Sequence, residues 1–123
     1  MKALTSILFS IVLLSCSAQN QNSDSKFKDL SNDEAKEMMA IYQNLQIVDV
    51  RQNAEVADGM IDGAVHMDIS KPAFYEQIET LDKNRPVLVY CAAGGRSKTA
   101  QEIMQENGFT EVHNLKRGYG NWK

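Results

Sequence analysis

Residues 30–123 predict an α/β fold of three layers, with a mainly parallel central sheet flanked by helices. Three observations carry this. Short apolar runs alternate with helix-period patterns along the chain, as strands joined by helical crossovers do. The run Pro86-Val87-Leu88-Val89-Tyr90 is continuously apolar, the pattern of a strand covered on both faces. The chain has 123 residues, 43% of them hydrophobic, enough to bury one core and too few for two.

Taken in order, Ser31-Asn32-Asp33-Glu34 matches a capping box, because a cap serine and a glutamate three residues on satisfy each other's backbone amides. Ala35, Met38, Met39 and Tyr42 follow at helical spacing, and the methionines read as core packing. Ile47 to Val50 reads as a buried strand and Ala64 to Met67 as a second. Ser70 and Pro72 mark a helix start, with Phe74, Ile78 and Leu81 on one face. After the strand at residues 86–90 comes a helix bearing Ala100, Ile103 and Met104, stopped at Asn107-Gly108. Glu111 to Asn114 forms the last short strand. Tyr119 and Trp122 are expected to pack the C-terminal turn against the core.

The start of the chain follows another logic. Met1-Lys2 is positive, and the following residues to Ser15 are largely apolar and uncharged. Such a stretch is too short to span a bilayer and fits a secretory signal. The segment Leu13-Leu14-Ser15-Cys16 resembles the bacterial lipoprotein signal, which implies cleavage before Cys16 and a lipid on that cysteine. Residues 1–15 are therefore expected to be removed. Residues 16–29, carrying the lipid-attachment cysteine and a polar run, are expected to serve as a flexible tether. The protein is expected to be exported, held to a bacterial membrane by the lipid alone, and to face the periplasm.

Charge and cysteine count exclude several functions. The formal charge is −3, from 13 basic and 16 acidic residues, and no basic cluster occurs, so nucleic acid is not an expected partner. The two cysteines, Cys16 and Cys91, form neither a disulfide framework nor a zinc set. His66 and His113 lie on expected strands without ligand partners at metal spacing. No metal and no cofactor is implied.

Chemistry concentrates after the strand at residues 86–90. Ligands of open parallel sheets bind beyond the carboxyl ends of strands, where helices begin. Cys91 stands there, followed by Ala92, Ala93, Gly94, Gly95, Arg96 and Ser97. The glycines allow positive φ and close backbone approach, so that successive N–H groups can turn inward and hold an anion. A helix beginning near Ser97 adds its positive end. A thiol in such a place ionises readily, and the thiolate is the nucleophile. Arg96 adds a permanent charge, either over a substrate or in a supporting ion pair. The plainer alternative is a buried cysteine at a glycine-rich turn. Gly95-Arg96-Ser97-Lys98-Thr99 lacks the spacing of a nucleotide-binding loop.

Taken together these residues resemble the single-domain rhodaneses. Cys91 to Ser97 is similar to their C-x-x-G-x-R-S loop, Asp49-Val50-Arg51 with Glu55 to their D-V-R and following acid, and Gly59 to Ala64 to G-H-I-x-G-A. Val112, Leu115, Gly118 and Trp122 resemble the closing V-x-x-L-x-x-G-x-x-x-W. Met60 and Arg117 depart from the pattern, standing where histidine and glycine are usual. The resemblance implies a rhodanese-like fold and a sulfurtransferase that moves sulfane sulfur through a Cys91 persulfide. Its implied partners are a small-molecule donor (thiosulfate or a persulfide) and a thiol or cyanide acceptor, with a sulfur-accepting protein as a further one. Rhodaneses specialised for thiosulfate often carry basic residues where Ala92 and Ala93 stand, so the donor stays open.

Two other readings compete. A non-catalytic module could carry persulfide or bind a partner. A phosphatase or arsenate reductase of the same fold has a loop one residue longer, whereas four residues separate Cys91 from Arg96 here. Asp49, Arg51 and Glu55 support the site, and the preferred reading of them is a structural ion-pair set.

Overall fold

The computed structural model describes residues 25–122, so Cys16, the expected signal and most of the expected tether lie outside the described residues. Five strands run in parallel in the order β1-β5-β4-β2-β3. They are β1 (Asp29–Leu30), β2 (Gln46–Asp49), β3 (Ala64–His66), β4 (Val87–Tyr90) and β5 (Val112–Leu115). Between them come α1 (Asn32–Ile41), α2 (Asn53–Val56), α3 (Phe74–Ile78) and α4 (Gly95–Glu106), and a 3-10 turn follows at Tyr119–Asn121. Among the described residues no helix is long and apolar enough to cross a membrane.

The expected alternation of strands and helices is present, and β4 explains the layering. Its four residues are fully buried, with Val87 and Val89 on one face of the sheet and Leu88 and Tyr90 on the other. The first face is covered by α3 and α4 through Phe74, Ile78, Ala100 and Met104; the second by α1 and the C-terminal turn through Ala35, Met38, Tyr119 and Trp122. Each fully buried valine or leucine contributes roughly 1.5–3 kcal/mol, and β4 contributes to both cores at once.

Local signals set most element ends. The Ser31 hydroxyl accepts the Glu34 N–H at 3.2 Å and the Glu34 carboxylate accepts the Ser31 N–H at 2.9 Å, completing the capping box of α1. Asn107 caps α4 and Gly108, at φ 89°, turns the chain away. Three details differ from expectation. Tyr42 is exposed at the end of α1 and does not join the core. The ordered sheet begins before Leu30, because the Lys26 and Lys28 carbonyls accept the N–H groups of Val112 and Asn114. Helix α4 starts at Gly95, ahead of Ser97; Gly94 alone takes the left-handed φ of 97°.

Strand order then locates the crevice. The chain leaves β2 toward β3 on one side and leaves β4 toward β5 on the other. Crossovers therefore diverge between β2 and β4, where parallel sheets open a cleft beyond their carboxyl ends. Arg51 follows β2 there, and Cys91 follows β4.

Candidate active site

Cys91 continues the alternation of β4 and points to the α3/α4 side, only 1% exposed. The next residues curl around its sulfur. The Gly94 N–H donates to Sγ at 3.1 Å and the Ser97 hydroxyl at 3.3 Å. Burial opposes ionisation and is the largest single influence on this thiol. The Ser97 hydroxyl and the N–H groups of Ser97, Ala93 and Gly94 together outweigh it, holding the pKa below its ordinary value. Gly94 makes the curl feasible, since a Cβ there would lie 2.1 Å from the Lys116 carbonyl oxygen.

Arg96 does not lie free over the loop. Its two terminal nitrogens donate to the two oxygens of Glu55 at 2.8 and 2.7 Å, a bidentate pair joining the Cys91 loop to α2. Of the two roles left open for this arginine, the structure shows the ion pair. Glu55 also accepts the Gln52 N–H at 2.9 Å, fixing the first turn of α2. Arg96 first, and the Gln52 amide second, bring the Glu55 carboxyl down to about 2.

Asp49 and Arg51 form a separate, buried pair with N–O contacts of 2.6 to 3.1 Å. The Asp49 hydrogen bonds are the main reason the Arg51 guanidinium stays more basic than usual. Arg51 also donates to the Gly59 carbonyl at 2.7 Å, and its guanidinium carbon lies 4.2 Å from the Tyr119 ring centroid and 5.7 Å from that of Tyr90. Neither Asp49 nor Arg51 touches the thiol. The three expected supporting residues thus split into two ion pairs, one inside the sheet end and one against the Cys91 loop.

Sequence reasoning missed how the loop is braced from behind. The Tyr119 and Gly120 N–H groups donate to the Cys91 and Ala92 carbonyls at 2.8 and 3.1 Å. Gly118 lies so close that a Cβ would be 2.4 Å from the Ala92 carbonyl carbon and oxygen. The Asn114 amide donates to the Gly94 carbonyl at 3.3 Å and to Asp29 at 3.0 Å. The one available signal was the Gly118-Tyr119-Gly120 triplet after an apolar strand, which marks a close backbone approach without saying to what.

Known proteins resemble this chain over most of its length. A family model described as "Rhodanese-like domain" matches residues 31–123. The chain is 35% identical over 98 residues to a putative sulfurtransferase, YtwF, of Bacillus subtilis, covering 80% of this chain and 92% of that one. It is 35% identical over 97 residues to the thiosulfate sulfurtransferase GlpE of Coxiella burnetii, covering 79% and 88%. The crystal structure of a rhodanese-like domain protein from Staphylococcus aureus superimposes with a TM-score of 0.70 at 29% identity, over 78% of this chain and 91% of that one.

Proposed function

Because the chain belongs to the family of rhodanese-like domains, we propose that it is a sulfurtransferase in which Cys91 carries sulfane sulfur from a donor to a thiophilic acceptor. One observation carries this reading most directly: the Cys91 sulfur is the focus of N–H and O–H donors, the environment a thiolate or a terminal persulfide anion needs. In the first step the Cys91 thiolate attacks the outer sulfur of thiosulfate or a persulfide. A new S–S bond forms, the donor's own S–S bond breaks, and sulfite or a thiolate leaves with the electron pair. In the second step cyanide or a thiol takes the outer sulfur and the Cys91 thiolate is restored. This is two-step covalent catalysis, and loop amides hold the charge on sulfur as an oxyanion hole does on oxygen.

The gap of four residues between Cys91 and Arg96, one shorter than in phosphatases of this fold, supports sulfur over phosphate. The test is a Cys91 mass gain of one sulfur after incubation with a donor, together with thiocyanate release from thiosulfate and cyanide. Both must vanish in Cys91→Ser; turnover unchanged in that variant sinks the mechanism.

We also propose that the domain lies outside the cytoplasm, with residues 1–15 removed, lipid on Cys16 and the next residues as a tether. Its support is the Leu13-Leu14-Ser15-Cys16 pattern after an apolar run. Labelled lipid should attach to the wild type and be absent from Cys16→Ala.

A further inference from the structure

Beside the Cys91 loop lies a polar cleft of about 260 Å³ lined by Gln52, Asn53, Ala54, Asp68, Ser70 and Lys71. It sits at the carboxyl ends of β2 and β3, next to the crevice. Asp49 stands level with Tyr90 on one side and His66 on the other. One step on, Cys91, Val50 and Met67 form a row, and two strand spacings separate the first and last Cα atoms by about 10 Å. Asp68 comes next. The opposite wall, Gln52 to Ala54, runs straight into Glu55, which holds Arg96 of the nucleophile loop.

Asp68 is unusual for a carboxylate in this protein. It is 7% exposed, and its Oδ1 accepts both the N–H and the hydroxyl of Ser70, at 2.9 and 2.6 Å. Its Oδ2 has no hydrogen-bond partner and is not fully buried, and Asp68 is one of the residues that line the cleft. Burial works against its charge, but the Ser70 donors, with Lys71 and His66 nearby, keep its pKa below the ordinary value. Lys71 lines the same cleft, is exposed and makes no ion pair, with Asp68 or any other described acid. One cleft therefore presents an anion and a cation that act on each other through space but make no direct ion pair.

The complement of that arrangement is a small molecule carrying an ammonium and a carboxylate together. We propose that this cleft binds the amino-acid part of an acceptor thiol, its ammonium on Asp68 Oδ2 and its carboxylate on Lys71, with the thiol directed to the sulfur on Cys91. The proposal rests on the reading of Cys91 as a sulfur carrier. The acceptor thiolate attacks the outer sulfur; the S–S bond to Cys91 breaks as the new one forms, and the electron pair returns to Cys91 Sγ. The proton that the acceptor thiol loses on ionising passes to the transferred sulfur, and no external oxidant or reductant enters.

The experiment loads the full chain with sulfur and follows discharge by L-cysteine, cysteamine and 3-mercaptopropionate, with rates normalised to thiolate concentration. The second lacks the carboxylate and the third the ammonium. Cysteine should be fastest by about tenfold, the effect expected for a charge-assisted contact at an open site. Asp68→Asn, which keeps the Ser70 acceptor, should reduce the cysteine to mercaptopropionate ratio about tenfold. Lys71→Gln should reduce the cysteine to cysteamine ratio similarly. Equal rates for the three thiols in the wild type, or ratios unmoved by both substitutions, overturn the proposal. If no persulfide forms on Cys91, the sulfur-carrier reading has failed, and the cleft is judged by S-methyl-L-cysteine, which binds without reacting. Amide shifts at Gln52, Ser70 and Lys71 that disappear in Asp68→Asn uphold the site, and their absence in the wild type refutes it.

Discussion

The Tyr119 backbone N–H donates to the Cys91 carbonyl at 2.8 Å, so the last turn of the fold and the Cys91 loop are one hydrogen-bonded unit. Gly118 sets that approach, at φ 68° and with no room for a Cβ beside the Ala92 peptide. Gly118→Ala should therefore destabilise the fold by at least about 1–2 kcal/mol from backbone conformation alone, with the Ala92 overlap adding to it. Urea unfolding gives the stability change. Sulfur transfer should fall in the protein that remains folded, because the loop must move to admit the methyl group.

Ser97 lies within α4, yet its hydroxyl is turned inward onto Cys91. Alkylation of Cys91 against pH should show a midpoint below that of an ordinary thiol. Ser97→Ala removes the strongest of the influences that favour the thiolate, so the midpoint should rise and reactivity at neutral pH should drop. A midpoint that stays put would remove Ser97 from the account of the thiolate.

The Glu55–Arg96 pair is about one-third exposed on each side, so solvent screening limits its worth. Glu55→Gln should cost about 0.5–1 kcal/mol in thermal unfolding. Its pH signature is clearer. The folded carboxyl sits at about 2, below the ordinary glutamate value near 4.3, so the pair stabilises fully above that ordinary value. Its contribution is lost as pH falls from about 4 toward 2. The wild type should lose more stability than Glu55→Gln over that window.

Asp49 and Arg51 are buried, and removing one partner leaves the other charged and desolvated. Asp49→Ala should cost about 3–5 kcal/mol, several times the effect at Glu55, as measured by equilibrium denaturation. A cost no larger than that of Glu55→Gln would show that water reaches Arg51 after all.

Much of this architecture is legible in the chain because its signals are local. The apolar run before Cys91 announces a doubly covered strand, Ser31 and Glu34 announce a helix start, and Asn107-Gly108 announces a stop. Strand β1 is not legible. It has two residues, and only its pairing with β5 makes it a strand. Helix α2 was missed because it is a single turn with glutamine at the cap position, a weak signal beside serine or aspartate. The place of Cys91 at the end of an apolar strand, just before two glycines and a helix, is legible in the chain. The partner of Arg96 could not: Glu55 lies 41 positions away, and only the completed sheet brings the two together.

The brace behind Cys91 has a consequence in time. A chain emerges from the ribosome at roughly 5–20 residues per second, amino end first. The carbonyls of Cys91 and Ala92 wait for Tyr119 and Gly120, and the curl at Gly94 is backed by the Lys116 carbonyl. The Cys91 loop is thus made early and braced late. Until residues 116–120 dock, the Cys91 and Ala92 carbonyls lack these donors, and the loop takes its final shape only when the fold closes around it.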